Sequence, residues 1–241
     1  SCCNTNTYMD AKNVCNSLGV PHFIYNCKEE FRKCVIQNFI DCYANCKTPT
    51  PCIECNKYMK FGFMWEKAKE LGCNYIATGH YAKTEYSEKY KRWVLKKSKA
   101  GRKDQSYVLY SLSQYQLEHT IFPLGKYSKE EIREIAEKNG FINAKKRDSQ
   151  DICFVPDGDY SKFIEQYKGK TYPCGNFVDK QGNVLGKHNG LIRYTIGQRK
   201  GLNIALGHPV YVISKDIESN TVVLGSNEDL NKKSLTARDF N

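Results

Sequence analysis

Cys52 and Cys55 form a Cys-x-x-Cys pair that follows a proline-rich loop and opens a helical pattern. Backbone N–H groups and the positive end of the helix dipole lower a thiol pKa, so either cysteine could be a thiolate at neutral pH. The spacing equally suits redox exchange or a metal ion, and Cys42 and Cys46 lie just upstream. Thiol catalysis, a zinc or iron–sulfur site, and packed thiols therefore remain open interpretations.

Cys153 is an isolated cysteine in the segment 148–154, where a polar approach gives way to an apolar exit. The segment lies at the junction between an α/β half and a β-rich half, and ligand sites concentrate at such junctions. The pattern predicts a thiol on a cleft wall. A cysteine followed by a phenylalanine is equally typical of a core.

Gly79 and His80 follow a short apolar run, where a parallel strand would end. Ligands of open α/β sheets bind beyond the carboxyl ends of the strands, and a glycine lets a phosphate approach the backbone. His80 could bind a phosphate or a base, or serve only the structure. Lys103, Asp104 and Gln105 form a polar entry to a helical pattern, which could grip a nucleic-acid backbone or simply cap the helix.

The charge of the chain favours a polyanionic partner. Its 37 lysines and arginines exceed its 26 aspartates and glutamates, giving a formal net charge of +11. Nucleic acid is such a partner, although a basic surface without function gives the same total. In the segment 190–202, basic and aromatic residues alternate with glycines, which suits contact with a phosphate backbone as well as an ordinary turn.

Alternating helical and strand patterns must position these residues. Apolar spacing predicts helices over 10–18, 31–43 and 55–71, with strands over 20–25 and 74–77. This alternation indicates an α/β domain with a mainly parallel sheet.

A hairpin is predicted within 83–97, and helices over 105–112 and 129–139, the last with Ser128 and Glu131 in capping-box spacing. Beyond residue 155, glycine-rich turns separate short strands, with a helix over 160–167 and a hairpin at 210–224. We expect three domains: 1–155, 156–206 and 207–241.

Composition indicates a globular protein in a reducing compartment. Hydrophobic residues make up 40% and charged residues 26% of the 241, with no apolar run long enough to span a membrane. Ten of the 12 cysteines lie in the first 73 residues, several within helical patterns, which is unlike a secreted disulfide framework. We expect a cytoplasmic protein, or one of the mitochondrial matrix in a eukaryote, without membrane contact.

Taken together and in this order, six motifs resemble the tRNA-specific 2-thiouridylase family, the MnmA/TrmU type of wobble-uridine thiolase. The resemblance covers essentially the whole chain. Its motifs are Ser1-Cys2-Cys3, Thr48-Pro49-Thr50-Pro51-Cys52-Ile53-Glu54-Cys55-Asn56-Lys57 with Lys60-Phe61, Ala77-Thr78-Gly79-His80-Tyr81, Asp104-Gln105-Ser106-Tyr107, Asp148-Ser149-Gln150-Asp151-Ile152-Cys153-Phe154 and Thr195-Ile196-Gly197-Gln198-Arg199-Lys200-Gly201-Leu202.

The resemblance implies a fold and a two-stage reaction. The fold is a partial Rossmann-like domain of the adenine nucleotide alpha hydrolase type, a small mostly-β central domain and the start of a β-barrel. ATP adenylates the C2 oxygen of a flipped uridine, and sulfur then displaces AMP. Cys153 would carry the sulfur as a persulfide, Cys55 would release it or close a disulfide with Cys153, and Gly79 would contact ATP.

The resemblance also implies partners. His80, Lys103, Asp104 and Gln105 would contact tRNA. The side chains expected beside the target base are those of Thr50, Pro51 and Cys52. The implied partners are tRNAs of the Lys, Glu and Gln type and a sulfur-donor protein, with the enzyme a monomer and Mg²⁺ bound through the phosphate loop.

Departures from the family pattern leave alternatives open. A Ser-Gly-Gly-Val-Asp-Ser type phosphate loop does not occur here, so we expect an inactive fragment that begins after that loop and ends within the β-barrel. Cys52 stands where some members have an acid–base aspartate, and Thr50 where asparagine is usual. The alternatives are an iron–sulfur or zinc module on Cys52, Cys55 and Cys153 or on Cys42 and Cys46, and a tRNA-binding remnant without ATP chemistry.

Overall fold

The structure is a computed structural model that describes residues 5–141, 144 and 152–238. These residues belong to two compact units. The first lies within Ser1–Val35 and Pro51–Phe154, and the second within Ile36–Thr50 and Val155–Phe240. Among the described helices, none is long and apolar enough to cross a membrane.

The described elements alternate between short helices and short strands. The α-helices are α1 (Thr5–Ser17), α2 (Lys28–Phe31), α3 (Gln37–Ala44), α4 (Pro51–Glu54), α5 (Met64–Glu70), α6 (Gln114–Glu118), α7 (Lys129–Lys138) and α8 (Tyr160–Lys168). The strands are β1 (Ile76–Ala77), β2 (Ala82–Ser87), β3 (Arg92–Lys97), β4 (Thr120–Ile121), β5 (Gly175–Val178), β6 (Val184–His188), β7 (Tyr211–Asp216) and β8 (Thr221–Gly225). π-Helical turns over Arg32–Ile36 and Cys55–Phe63 join α2 to α3 and α4 to α5.

The first unit is built around one apolar cluster. Strand β1 pairs with β4 in parallel, and β2 pairs with β3 as an antiparallel hairpin. The helical stretch from α4 to α5 buries Phe61 against the hairpin and the turns that follow it. The buried cluster consists of Phe61, Ala82, Val108, Leu109, Leu112, Leu117 and Phe122. Removal of this apolar surface from water is the main force that holds these elements together.

The second unit has a four-stranded sheet in the order β6-β5-β8-β7. β5 pairs with β8 in parallel, whereas the other two pairings are antiparallel. Alternate residues of the strands face one core, which consists of Phe177, Tyr194, Leu202, Val212, Val222 and Leu224. The sheet therefore contains strands from both sides of the predicted boundary at 206/207, and the division into three domains stays a prediction.

Elements with strong local signals form where the sequence places them. Helix α7 begins at the predicted capping box, in which the Ser128 hydroxyl accepts from the N–H of Glu131 and the Glu131 carboxylate accepts from the N–H of Ser128. The hairpin β2–β3, helix α8 and the hairpin β7–β8 also form as predicted. The α/β class is confirmed, with parallel pairing of β1 and β4 across the intervening hairpin and helix.

Two predicted elements are wrong. No strand forms over 20–25, where Val20, Phe23 and Ile24 are exposed. Within the described part of the chain, no neighbouring strand pairs with this segment, and an extended run without a ladder is not stable. The predicted helix over 105–112 is replaced by a short 3₁₀ turn at Ser106–Val108. Gln105, the first residue of the predicted helix, instead forms two hydrogen bonds with the backbone of Tyr81.

Candidate functional site

A cavity of about 400 Å³ lies at the carboxyl end of β1 in the first unit. Its walls are the strand end, the helical stretch after Cys55 and the turn before Ser106. The lining residues are Lys60, Met64, Ile76, Ala77, Thr78, Gly79, His80 and Gln105. The structure thus brings three predicted site residues, Gly79, His80 and Gln105, to one cavity. This is the strand-end position at which α/β sheets bind their ligands.

Hydrogen bonds of the strand hold this edge of the cavity. The N–H of Ile76 donates to the carbonyl of His119, and the N–H of Thr78 donates to the carbonyl of Ile121, so the ladder continues one residue beyond β1. Gly79 comes next and is exposed. A Cβ atom built there would meet only Leu124 Cδ1, at 3.8 Å. The protein itself does not require glycine at this position, whereas a ligand that approaches the backbone would.

His80 is buried beside the cavity and neutral. Its ring packs beside the rings of Phe61 and Phe122, whose centroids lie 6.2 and 6.1 Å away. Burial, with a smaller contribution from the nearby Lys60 cation, lowers the pKa of His80 from its ordinary value of 6.5 to about 4. Loss of hydration and repulsion by a nearby positive charge both disfavour the protonated imidazole, so the ring is neutral at pH 7.

The hydrogen-bond partners of His80 define its tautomer. Lys60 Nζ lies 3.4 Å from His80 Nε2, and Thr78 Oγ1 lies 2.8 Å from His80 Nδ1. An ammonium group can only donate, so Nε2 carries the lone pair and Nδ1 carries the proton. The Nδ1–H then donates to the Thr78 hydroxyl. The ring is therefore fixed in one orientation between a cation and a hydroxyl.

Gln105 joins the cavity edge to the turn that replaces the predicted helix. Its N–H donates to the Tyr81 carbonyl at 2.8 Å, and its Oε1 accepts from the Tyr81 N–H at 3.1 Å. Asp104 organises the same turn, because its carboxylate accepts from the N–H of Ser98 at 2.6 Å and from the hydroxyl of Ser106 at 2.5 Å. Burial raises the pKa of Asp104, but these hydrogen bonds outweigh it and the pKa is lowered.

Two further predicted tRNA contacts differ in character. Lys103 is exposed at the end of a 3₁₀ turn. Both carboxylate oxygens of Asp104, by contrast, accept hydrogen bonds from Ser98 and Ser106 within the turn. Asp104 is thus placed to shape the turn that carries Lys103 and Gln105.

The Cys-x-x-Cys pair lies at the start of a helical stretch, as predicted, but this stretch begins at Pro51 rather than at Cys55. Pro51 is the first residue of α4, Cys52 is exposed, and Cys55 is half-buried at the start of the π-helical segment. π-Helical turns are rare and occur frequently at functional sites. Thr50 is exposed and precedes the helix. Next to Cys55, the buried Asn56 donates from Nδ2 to the Val108 carbonyl at 2.9 Å, which fixes the helix to the turn after Gln105.

Cys55 and Cys153 belong to the same unit. Phe154, the neighbour of Cys153, packs edge-on against Phe31 of α2, with ring centroids 5.8 Å apart. Helix α2 in turn packs against the π-helical segment that begins at Cys55. Both cysteines are half-buried. Helix α2 therefore contacts both the residue that follows Cys153 and the segment that begins at Cys55.

The described thiols do not form a metal site. Zinc and iron–sulfur centres need three or four ligands from one cluster. Throughout the ranges that the structure describes, no three His, Cys, Asp or Glu side chains are grouped so that they could hold a metal ion. These ranges include Cys42, Cys46, Cys52, Cys55 and Cys153, so the predicted metal module has no support in their arrangement.

The sequence reasoning assigned no role to Lys60 or Thr78, although both lie within quoted motifs. The structure places Lys60 on the cavity wall beside His80, with Met64 one helical turn further on. A lysine four residues before a methionine on a helix gives a weak signal of a shared face. Only the packing of the helix against the strand end reveals which face lines the cavity.

Comparison with known proteins gives two matches to family models. The model described as tRNA methyl transferase HUP domain matches residues 1–157, and that described as tRNA methyl transferase PRC-barrel domain matches residues 161–226. The first model accounts for more than half of the chain. Its match contains the cavity and both cysteines of interest.

Curated relatives match the chain from end to end. The tRNA-specific 2-thiouridylase MnmA of Clostridioides difficile (strain 630) is 50% identical over 240 residues, which cover 100% of this chain and 66% of that protein. The proteins of the same name from Acetivibrio thermocellus and Clostridium kluyveri are also 50% identical, and the chain covers 67% of each. The chain thus spans about two thirds of the length of these relatives. With this identity and both domain models matched in order, the chain belongs to the family of the tRNA-specific 2-thiouridylases.

Proposed function

We propose that the protein is an ATP-dependent tRNA sulfurtransferase that forms 2-thiouridine at the wobble position. The observation that carries the proposal is the strand-end cavity with Gly79 and a neutral His80, in the same unit as Cys55 and Cys153. The names of the relatives agree with it. A nucleotide cavity and two thiols near one helix are what an activation step followed by sulfur transfer needs.

The first step is activation of the uridine by ATP. The C2 oxygen attacks the α-phosphate, pyrophosphate leaves, and a poor leaving group becomes AMP. The exposed Gly79 backbone gives the nucleotide access to the strand end. Magnesium accompanies most ATP chemistry, but the described residues provide no grouped set of protein ligands for it, and no step here is assigned to it.

The second step transfers sulfur. A donor leaves a persulfide on Cys153, and its terminal sulfur attacks C2, so that AMP departs with the original oxygen. The thiolate of Cys55 then attacks the Cys153 sulfur, which forms a Cys55–Cys153 disulfide and releases 2-thiouridine. An external dithiol must reduce this disulfide before the next turnover. Exchange of this kind needs two thiols that can meet, at least one with thiolate character.

The tRNA contacts follow from exposure and charge. The wobble base is stacked in the anticodon loop and must swing out to be reached. Exposed Thr50 and Cys52, with Pro51 between them, are proposed beside the flipped base, and exposed Lys103 on the tRNA backbone. His80 and Gln105 are proposed to contact the tRNA from the cavity edge, and Asp104 to hold the turn. Selectivity for Lys, Glu and Gln tRNAs, the donor protein and a monomeric state belong to the same proposal.

Replacement of each cysteine tests the assignment. In the full-length product of the gene, we expect Cys55→Ala and Cys153→Ala each to abolish 2-thiouridine, measured by mass spectrometry of tRNA nucleosides. Cys73→Ala is the matched control, because Cys73 is an exposed thiol of the same unit with no proposed role. Normal 2-thiouridine in either test variant would refute the role of that cysteine.

The same nucleoside analysis separates sulfur transfer from methyl transfer, which the description of the family models names. Thiolated uridine that depends on ATP and on Cys153 supports the proposal. A new methylated nucleoside, with 2-thiouridine unaffected by the presence of the protein, contradicts it. The cysteine variants give a second distinction, because a methyl transfer that does not use these thiols continues in both of them.

A further inference from the structure

Lys60 is a cation of the cavity, and no described residue gives it an anionic partner. Its side chain is half-buried and lines the cavity wall. Within the described residues, its recorded polar contact is His80 Nε2, and no carboxylate lies within ion-pair distance of Lys60 Nζ. An ammonium group partly withdrawn from water without a counter-charge is costly, unless a ligand supplies that charge.

The neighbours of Lys60 orient it without neutralising it. His80 is neutral and offers one lone pair at Nε2, so it can accept a single hydrogen bond from the ammonium group. An ammonium group has three donors, which leaves two for a ligand. On the other side of the ring, the Thr78 hydroxyl accepts the Nδ1–H of His80. Its own O–H proton is then available to a ligand in the cavity.

The remaining walls favour a ligand with an apolar as well as an anionic part. Met64, Ile76 and Ala77 contribute apolar surface, whereas Lys60 and Thr78 contribute donors. A volume of about 400 Å³ is in the range of cavities that hold small ligands. Apolar walls together with side-chain donors match a nucleotide, whose phosphate is separated from a flat ring.

We propose that Lys60, held in position by His80, binds a phosphate group of a nucleotide in the cavity, with the Thr78 hydroxyl as a second donor. This inference rests on the proposed function, because the substrates of that reaction are the two sources of such a phosphate. One is the α-phosphate of ATP or AMP, and the other is the phosphate beside the flipped uridine of the tRNA. The shared chemistry is a nucleotide phosphate, and the experiment distinguishes the two sources.

A binding assay with the 241-residue chain tests the proposal. We expect Lys60→Gln to weaken binding of AMP and ATP, measured by calorimetry, by roughly ten- to hundredfold, the range of one charge-assisted hydrogen bond. Lys60→Arg keeps the charge and should restore most of the affinity. Adenosine lacks the phosphate, so its affinity should not change. Lys57→Gln is the matched control, because Lys57 is exposed on the same helical stretch with its Nζ over the Tyr58 ring.

The His80 ring supplies a readout that a structural role would not move. A bound phosphate offsets the Lys60 charge, so saturation with AMP should raise the pKa of His80, followed by NMR of the ring. In Lys60→Gln, AMP should leave the His80 pKa nearly unchanged. Tryptophan emission serves as the control for folding, because Trp65 is buried on the same helical stretch as Lys60. An unchanged emission spectrum in each variant shows that this stretch remains packed.

The outcomes separate the sources. Weaker AMP and ATP binding with unchanged tRNA affinity assigns the phosphate to ATP, and weaker tRNA binding with unchanged AMP affinity assigns it to the tRNA. Unchanged affinity for all three in Lys60→Gln overturns the proposal, as does a wild-type chain that binds none of them. The result is independent of the cysteine test, because nucleotide binding at Lys60 does not require sulfur transfer.

Discussion

Lowering the pH from 7.5 to 5.0 should destabilise the first unit through His80. The ring is buried, accepts from Lys60 and donates to Thr78, so the folded unit has no acceptor for a second ring proton. Burial, reinforced by the Lys60 charge, lowers the pKa of His80 from 6.5 to about 4. Because the unfolded chain binds the proton more readily, the contribution is fully present above pH 6.5 and is lost as the pH falls towards 4.

The magnitude follows from the two pKa values. Between the ordinary pKa of 6.5 and the folded value of about 4, each pH unit corresponds to about 1.4 kcal/mol, so the whole shift corresponds to about 3.5 kcal/mol. At pH 5.0, the unfolded ring is almost fully charged and the folded ring almost fully neutral. About 2 kcal/mol of the unfolding free energy should therefore be lost between pH 7.5 and 5.0.

Tryptophan fluorescence measures this loss in the right unit. The two tryptophans of the chain, Trp65 and Trp93, both lie in the first unit. Urea unfolding followed by their emission therefore reports on the unit that contains His80. His188, whose pKa is also lowered by burial, lies in the second unit, where no tryptophan follows its titration. A parallel series with His80→Gln removes the titrating ring and isolates its contribution from those of other groups.

Comparison of the wild type with His80→Gln tests whether His80 causes the loss of stability at low pH. We expect the unfolding free energy of the wild type to fall by about 2 kcal/mol more than that of His80→Gln over this pH range. Equal losses in both proteins would show that the pKa of His80 is the same in the folded and unfolded states. The reasoning on burial and on the tautomer would then fail, since both require a ring that resists protonation in the folded unit.

Three further predictions concern single residues. Gly125→Ala should lower the unfolding free energy of the first unit by about 2 kcal/mol or more, because its Cβ would collide with the Ala82 carbonyl. Ser128→Ala should lower it by about 1 kcal/mol through loss of the α7 cap, and tryptophan-monitored urea unfolding measures both. Burial raises the pKa of Cys46, so iodoacetamide at pH 8 should modify Cys46 more slowly than exposed Cys174, as peptide mass spectrometry will show. Full unfolding stability in Gly125→Ala or Ser128→Ala, or equal alkylation of the two cysteines, would contradict the corresponding argument.

Local signals in the sequence indicated several elements and three of the residues that line the cavity, Gly79, His80 and Gln105. The Ser128 capping box and the two hairpins depend on contacts between residues a few positions apart, so their sequence patterns predict them. Gly79 and His80 were legible for the same reason, because a short apolar run followed by glycine indicates a strand end. The order of the motifs then indicated the family.

Only the tertiary structure decided how distant segments meet. The turn at Gln105 replaced a predicted helix because Gln105 bonds Tyr81, which is 24 positions away. The segment 20–25 has strand-like residues but no described strand beside it, since a ladder needs a partner that no local pattern supplies. Lys60 and His80 are 20 residues apart, and their contact exists only because the helix packs against the strand end. The sequence determines which side chains are present. Packing between elements determines which of them become neighbours, and those neighbours shift properties such as the pKa of His80.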